Sequence, residues 1–425
     1  MSVKPRYMTL IAAAAAAAMV LYAASAWIPR SETSLSPSLS EAVVLAEGHR
    51  FDESEAIARS YLQEKPDSSE AHMLLAQLAL NRPEPSTSKN DRPDPRPAQL
   101  ALEHLDRVRP DKPYLAALVK LYRGKAEYRL GRLDDAETSW NEAIRIDPKI
   151  PEAGWCLLEL HYLEGRVEEA RPLALRMHQN EPDPRDRAQY LLELLRQDAQ
   201  PHAAGSVVQW LEPLLQQNPN DLHAKLAMGR NLVRDGQVDR GLAMLKRIIE
   251  DHPSDPDVWD AWLTALDDSG QTDLLIPALD HVPRTFADSP RFAKHQARAA
   301  QERADWKAAV MGYRRALTEF PNDQKLKYRL ARALRNSGEI AEADQLQHEH
   351  RAYQVATQEV RDLYEEANAD KTLGVNPHSE LYQRIADLRE RMGLKEEALA
   401  WHRMVLTDEP KNVISLAAVP RLQGH

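Results

Sequence analysis

Apolar residues return three and four positions apart along most of this chain, and small residues and prolines punctuate the rhythm at fixed distances. Residues 130–148 read LGRLDDAETSWNEAIRIDP, and residues 164–182 read EGRVEEARPLALRMHQNEP. Gly131, Ala136 and Pro148 thus recur as Gly165, Ala170 and Pro182, each 34 residues on. Apolar spacing of three and four on both sides of the glycine predicts two amphipathic helices around a tight turn. Glycine suits a left-handed helix terminus. The small residues let the two helices approach closely. Proline closes the second helix, because it lacks an N–H and restricts the residue before it.

With Gly131 as position 15 of a 34-residue frame, Ala136 is position 20 and Pro148 is position 32. Copies begin at Ala117, Pro151, Leu222, Pro256, Pro290, Gln324 and Ser379, and the starts 222, 256, 290 and 324 are each 34 apart. Looser copies begin at Leu35, Ser69 and Arg185. The Ser69 copy carries RPEPSTSKNDRPDPRP (82–97), which predicts an extended loop before its second helix. Pro172, Pro213 and Pro277 fall inside second helices and predict kinks or late helix starts. One hairpin cannot bury its apolar face alone, so the copies must stack.

Period and landmarks together resemble the tetratricopeptide repeat family, over roughly residues 35 to 425. The resemblance implies an all-α fold, a right-handed superhelical solenoid of stacked helix–turn–helix hairpins. It also implies a non-enzymatic scaffold for protein–protein interaction, with partner peptides or helices held in a concave groove. The domain plan is an N-terminal signal anchor or signal peptide at 1–30, a spacer at 31–40, and N-terminal repeats over 35–221. Regular repeats follow over 222–357, an extended helix and break over 358–378, and a last repeat with terminal cap over 379–425.

Two segments depart from the period. Residues 7–29 contain no charge and follow Lys4 and Arg6, which predicts a single N-terminal membrane anchor with the repeats outside the cytoplasm. Ala24-Ser25-Ala26 also fits a cleavage site, which would leave a periplasmic or secreted chain. Between Ala341 and Leu373 there is neither glycine nor proline, and Leu346, Tyr353, Val360 and Ala367 stand seven apart. That seam predicts a long helix, packed on its own solenoid or pairing two copies through residues 341–370 as a homodimer.

Composition narrows the chemistry. A formal net charge of -10 argues against nucleic acid as a partner, and the single cysteine, Cys156, excludes an intramolecular disulfide. No phosphate loop, H-E-x-x-H or G-x-S-x-G motif occurs, and no cofactor or metal is expected. The two histidines of HEH (348–350) lie two apart, on different helix faces.

The charge pattern of the first helices is more informative. The resemblance implies groove-lining positions 2, 5, 9 and 12. These are Arg291, Lys294, Arg298 and Gln301 in one repeat, and Lys325, Tyr328, Arg332 and Arg335 in the next, with Arg329 beside them. The preceding repeat supplies Asp257, Asp260, Thr264 and Asp267. The basic set partly looks like the carboxylate clamp of chaperone-binding members: Lys294 falls at a matching position, while arginines stand where that clamp has asparagines. Arg291, Lys294, Arg298, Lys325, Arg329, Arg332 and Arg335 are therefore the candidate peptide-binding residues, for acidic segments of other proteins. The reading is a scaffold at the cell envelope. A regulatory subunit of a separately encoded envelope enzyme, or an unrecognised enzyme, are the alternatives.

Overall fold

The structure is a computed structural model and describes residues 36–82, 94–369 and 378–424. Among these residues there are helices and no strand. In chain order the helices are Pro37–Glu47, Phe51–Glu64, Ser69–Asn81, Arg96–Leu105, Pro113–Arg129, Leu133–Ile146, Pro151–Glu164, Val167–Asn180, Pro184–Ala199, Ala204–Gln217 and Leu222–Arg234. Val238–Asp251, Pro256–Asp268, Thr272–Leu279, Arg284–Ala287, Pro290–Glu302, Trp306–Glu319, Gln324–Ser337, Ile340–Ala369, Ser379–Arg391, Lys395–Asp408 and Val413–Leu422 follow. The predicted all-α repeat of helical hairpins is the observed fold.

Local chemistry explains the hairpins. Pro151, Pro256 and Pro290 open first helices, where the missing N–H would have had no helical acceptor. Asp255 caps its helix by accepting the Asp257 backbone N–H at 2.8 Å. At position 15 the backbone turns left-handed, at Gly131, Gly165, Gly236, Gly270, Gly338 and Gly393. Two repeats without glycine at position 15 make the same turn there: His49 has φ 59° and Ala304 has φ 56°. Both close with the hydrogen bonds seen at Gly131, since Asp305 N donates to Ala300 O at 2.9 Å just as Arg132 N donates to Glu127 O at 2.9 Å. Stacking thus enforces the turn even where a Cβ opposes it. Ala304→Gly should raise stability by about 0.5–1 kcal/mol, because the strain removed exceeds the entropy added to the unfolded chain. A urea midpoint unchanged or lowered by this substitution would show that Ala304 carries no strain.

The small positions do what their size allows. Ala293, Ala297, Ala309, Val310, Tyr313 and Leu330 share one buried core across three consecutive helices. A Cβ on Gly124 would stand 2.5 Å from Trp140 Nε1, so this glycine is what admits the buried indole. The prolines inside second helices have unequal effects. Val167–Asn180 and Ala204–Gln217 run through Pro172 and Pro213, whereas the helix containing Pro277 is only 8 residues long.

The residues form two compact units, each discontinuous in sequence. One comprises the described residues up to Arg166 with Gly205–Met228; the other comprises Val167–Ala204 with the chain from Gly229 onward. In the second unit, helix Pro184–Ala199 packs against Ile340–Ala369 and Lys395–Asp408. The long helix was expected; of its seam residues Val360 and Ala367 are buried within this chain, as are Ala356 and Leu363 between them, while Leu346 and Tyr353 are half-buried. That burial leaves the pairing of two copies through this seam without support.

One expectation is overturned. No helix among the described residues is long and apolar enough to cross a membrane, so a single N-terminal anchor is not supported. The uncharged stretch 7–29, the core of the 82–97 loop and the break after the long helix lie outside the described residues.

Candidate functional site

The seven candidate cations come from two first helices of the second unit, Pro290–Glu302 and Gln324–Ser337, and the acidic positions come from Pro256–Asp268. Because repeats stack in register, residues one repeat apart face each other. Arg291 Nη1 donates to Asp257 at 2.5 Å, a pair 34 residues apart. Lys294 Nζ lies 2.9 Å from Asp260, and His295 Nε2 lies 2.9 Å from the same carboxylate. Asp267 takes Arg298 Nε at 3.1 Å, both terminal nitrogens of Arg329 at 2.7 and 2.9 Å, and Lys325 Nζ at 3.0 Å. Asp268 takes Lys325 as well.

Asp267 is therefore the hub of the strip. Burial alone would raise its pKa, but Arg329 and Lys325 outweigh that and hold it below the usual carboxylate range. Asp260 shows the same balance, with Lys294, His295 and Arg291 overcoming burial. Burial dominates at His295 and lowers its pKa. The other cations differ. Arg335 turns to Asp344 and Gln347 of the long helix. Arg332 is exposed and makes no ion pair among the described residues, and Tyr328 beside it is also exposed. The structure thus brings five candidate cations into one internally neutralised ladder and leaves Arg332 at its edge.

Enzymatic constellations fare poorly. Burial pushes the Cys156 thiol up to about 11, which leaves little thiolate at neutral pH. Ser415 Oγ lies 3.0 Å from His402 Nδ1, whose Nε2 lies 3.0 Å from Glu390, an order that resembles a hydrolytic triad. Both Ser415 and His402 are wholly buried, and Ser415 Oγ donates to Gln383. This network ties three helices of the last repeat together, and no substrate reaches its hydroxyl.

Sequence reasoning missed a cluster in the first unit. Arg166 donates to Glu137 at 2.6 and 2.9 Å and to Glu164 at 2.9 Å. His161 Nε2 stands 3.2 Å from Glu137, and His223 Nδ1 stands 3.3 Å from it. The Glu137 and Glu164 carboxylates beside it raise the His223 pKa to about 10. At Glu137 burial is outweighed by His161, His223 and Arg166, so its carboxyl is held well below the usual range. The signal in the sequence was a histidine and two glutamates at unrelated offsets, which no spacing rule connects.

Comparison with known proteins agrees with the repeat geometry. Tetratricopeptide repeat family models match residues 99–151, 121–187 and 196–262. A curated relative is the cellulose synthase operon protein C of Pseudomonas fluorescens (strain SBW25), 30% identical over 189 residues. That match takes in 41% of this chain and 14% of the relative's length. Among solved structures, a tetratricopeptide repeat protein from Parabacteroides merdae is 13% identical over 73% of this chain and 99% of its own, with a TM-score of 0.29. The APC/C hetero-tetramer Cut9-Hcn1 is 14% identical over 91% of this chain and 89% of its own, with a TM-score of 0.28.

Proposed function

We propose that this chain, which belongs to the tetratricopeptide-repeat family, is a non-catalytic scaffold that docks an acidic segment of a partner protein along its first helices. Stacked hairpins are in general interaction scaffolds, because they present equivalent side chains from successive repeats on one extended surface. The observation that carries the finer reading is the uneven neutralisation of the cationic strip. Asp257, Asp260, Asp267 and Asp268 engage Arg291, Lys294, Arg298, Lys325 and Arg329, and Arg332 stands outside the ladder next to Tyr328. An incoming carboxylate would meet Arg332 first.

The test follows from which cations the fold already uses. Reversing Arg298 would place a carboxylate against Asp267 and Glu302 and so disturb the fold. Reversing the exposed Arg332 would not, and should change stability by no more than about 0.5 kcal/mol. Fluorescence anisotropy with an aspartate- and glutamate-rich peptide should show weaker binding to Arg332→Glu. Binding to the wild type should fall as salt rises, since exposed charges are screened over about 8 Å at physiological ionic strength. Equal affinity for the wild type and Arg332→Glu would remove the strip from consideration as the docking surface.

A further inference from the structure

The cluster in the first unit has a feature that its ion pairs do not explain. Arg166 bonds both Glu137 oxygens and Glu164 Oε2, whereas Glu164 Oε1 has no hydrogen-bond partner. The Glu164 side chain is only 3% exposed, so this oxygen has lost water without gaining a bond. It faces His223 Nδ1 at 3.7 Å, and Glu137 Oε2 faces the same nitrogen at 3.3 Å. The three ligand-type atoms all lie within 4.8 Å of one another. We propose that Glu137, Glu164 and His223 form a binding site for one divalent transition-metal ion of the zinc type.

The spacing decides between an ion pair and a metal site. Metal bonds of about 2.0–2.2 Å in a tetrahedron give ligand-to-ligand edges of about 3.3–3.6 Å. The two histidine–carboxylate separations, 3.3 and 3.7 Å, lie at and just above such edges and exceed a charge-assisted hydrogen bond of about 2.7–2.9 Å. Supporting contacts also fit. The other His223 nitrogen lies 3.5 Å from Asp134, the kind of carboxylate partner that orients a ligating imidazole. His161 holds Glu137 Oε1, and Arg166 bonds both oxygens of that carboxylate, so its orientation is fixed. Arg166 offsets one of the two carboxylate charges, so the donors offer a single negative charge and an imidazole. One nitrogen and two oxygens favour zinc, cobalt or nickel over calcium or magnesium, which require six or more oxygen ligands. His223 is 26% exposed, which leaves an approach from solvent and a fourth position for water.

The experiment uses the full chain, stripped of metal and titrated with Zn²⁺ against a chromophoric chelator. One equivalent should bind per chain. His223→Ala and the near-isosteric Glu164→Gln should each weaken binding by about 100-fold, and Asp134→Asn by about 10-fold, as expected for a ligand and its supporting partner. Circular dichroism confirms that each variant keeps its helix content. Co²⁺ added to the wild type should give the strong visible bands of tetrahedral cobalt. The proposal is overturned if Zn²⁺ binding does not saturate, if His223→Ala binds as the wild type does, or if cobalt gives no protein-dependent bands. In those cases the cluster is an ion-pair network only.

Discussion

Arg389→Met should destabilise the second unit by about 3–5 kcal/mol, the range found when one partner of a buried ion pair is removed. Arg389 is completely buried. Its guanidinium donates to Asp198 at 2.6 Å and lies 3.2 Å from Glu397, and Arg171 bonds the same two carboxylates from the opposite side. Burial works to raise the Asp198 pKa, but Arg389 and Arg171 outweigh it, and the net effect is a lowered value. Without Arg389, two buried carboxylates would share a single cation. The four residues lie on helices Val167–Asn180, Pro184–Ala199, Ser379–Arg391 and Lys395–Asp408, so the loss acts where segments distant in sequence meet. Adding Asp198→Asn to Arg389→Met should recover part of the loss, because it removes one uncompensated charge. Urea unfolding followed by the buried Trp401, with hydrogen exchange over residues 184–199, measures both variants. A loss below about 1 kcal/mol for Arg389→Met would show that the network is solvated and does not pin these helices together.

The landmarks at positions 15, 20 and 32 made the hairpins legible, since each reports a local steric requirement. Charge was legible too, once repeat register is considered. Asp257 and Arg291 stand 34 residues apart, and residues at equal positions of stacked helices face each other. What the period could not show is which repeats meet out of order. Arg171, Asp198, Arg389 and Glu397 join helices Val167–Asn180 and Pro184–Ala199 to Ser379–Arg391 and Lys395–Asp408, and these four charged residues share no frame position. The Glu137, Glu164 and His223 cluster was hidden for the same reason. A repeat code describes neighbours, and these contacts join non-neighbours. The left-handed turns at His49 and Ala304 show the converse, a landmark geometry kept after its landmark residue is gone.

Gly131→Ala should cost about 2–4 kcal/mol, while Gly236→Ala at the same repeat position should cost about 1 kcal/mol or less. Both glycines are left-handed, with φ 68° and 85°, so an added Cβ meets the same backbone strain in each. Their surroundings differ. A Cβ on Gly236 would touch nothing within 4 Å, whereas one on Gly131 would stand 2.5 Å from the Leu214 carbonyl oxygen. No rotamer change relieves a clash with backbone, so helix Ala204–Gln217 would have to withdraw. That helix is held to the same turn by further contacts of the first unit. Trp210 packs on Tyr128 with ring centroids 5.6 Å apart, and in the connection just after the helix Asp221 accepts the Leu133 N–H at 2.7 Å. Withdrawal should therefore also alter the Trp210 emission. Urea midpoints of the two variants, read against the wild type, give the comparison. Equal losses at Gly131 and Gly236 would mean that only the left-handed strain is felt and that residues 205–217 do not rest on this turn.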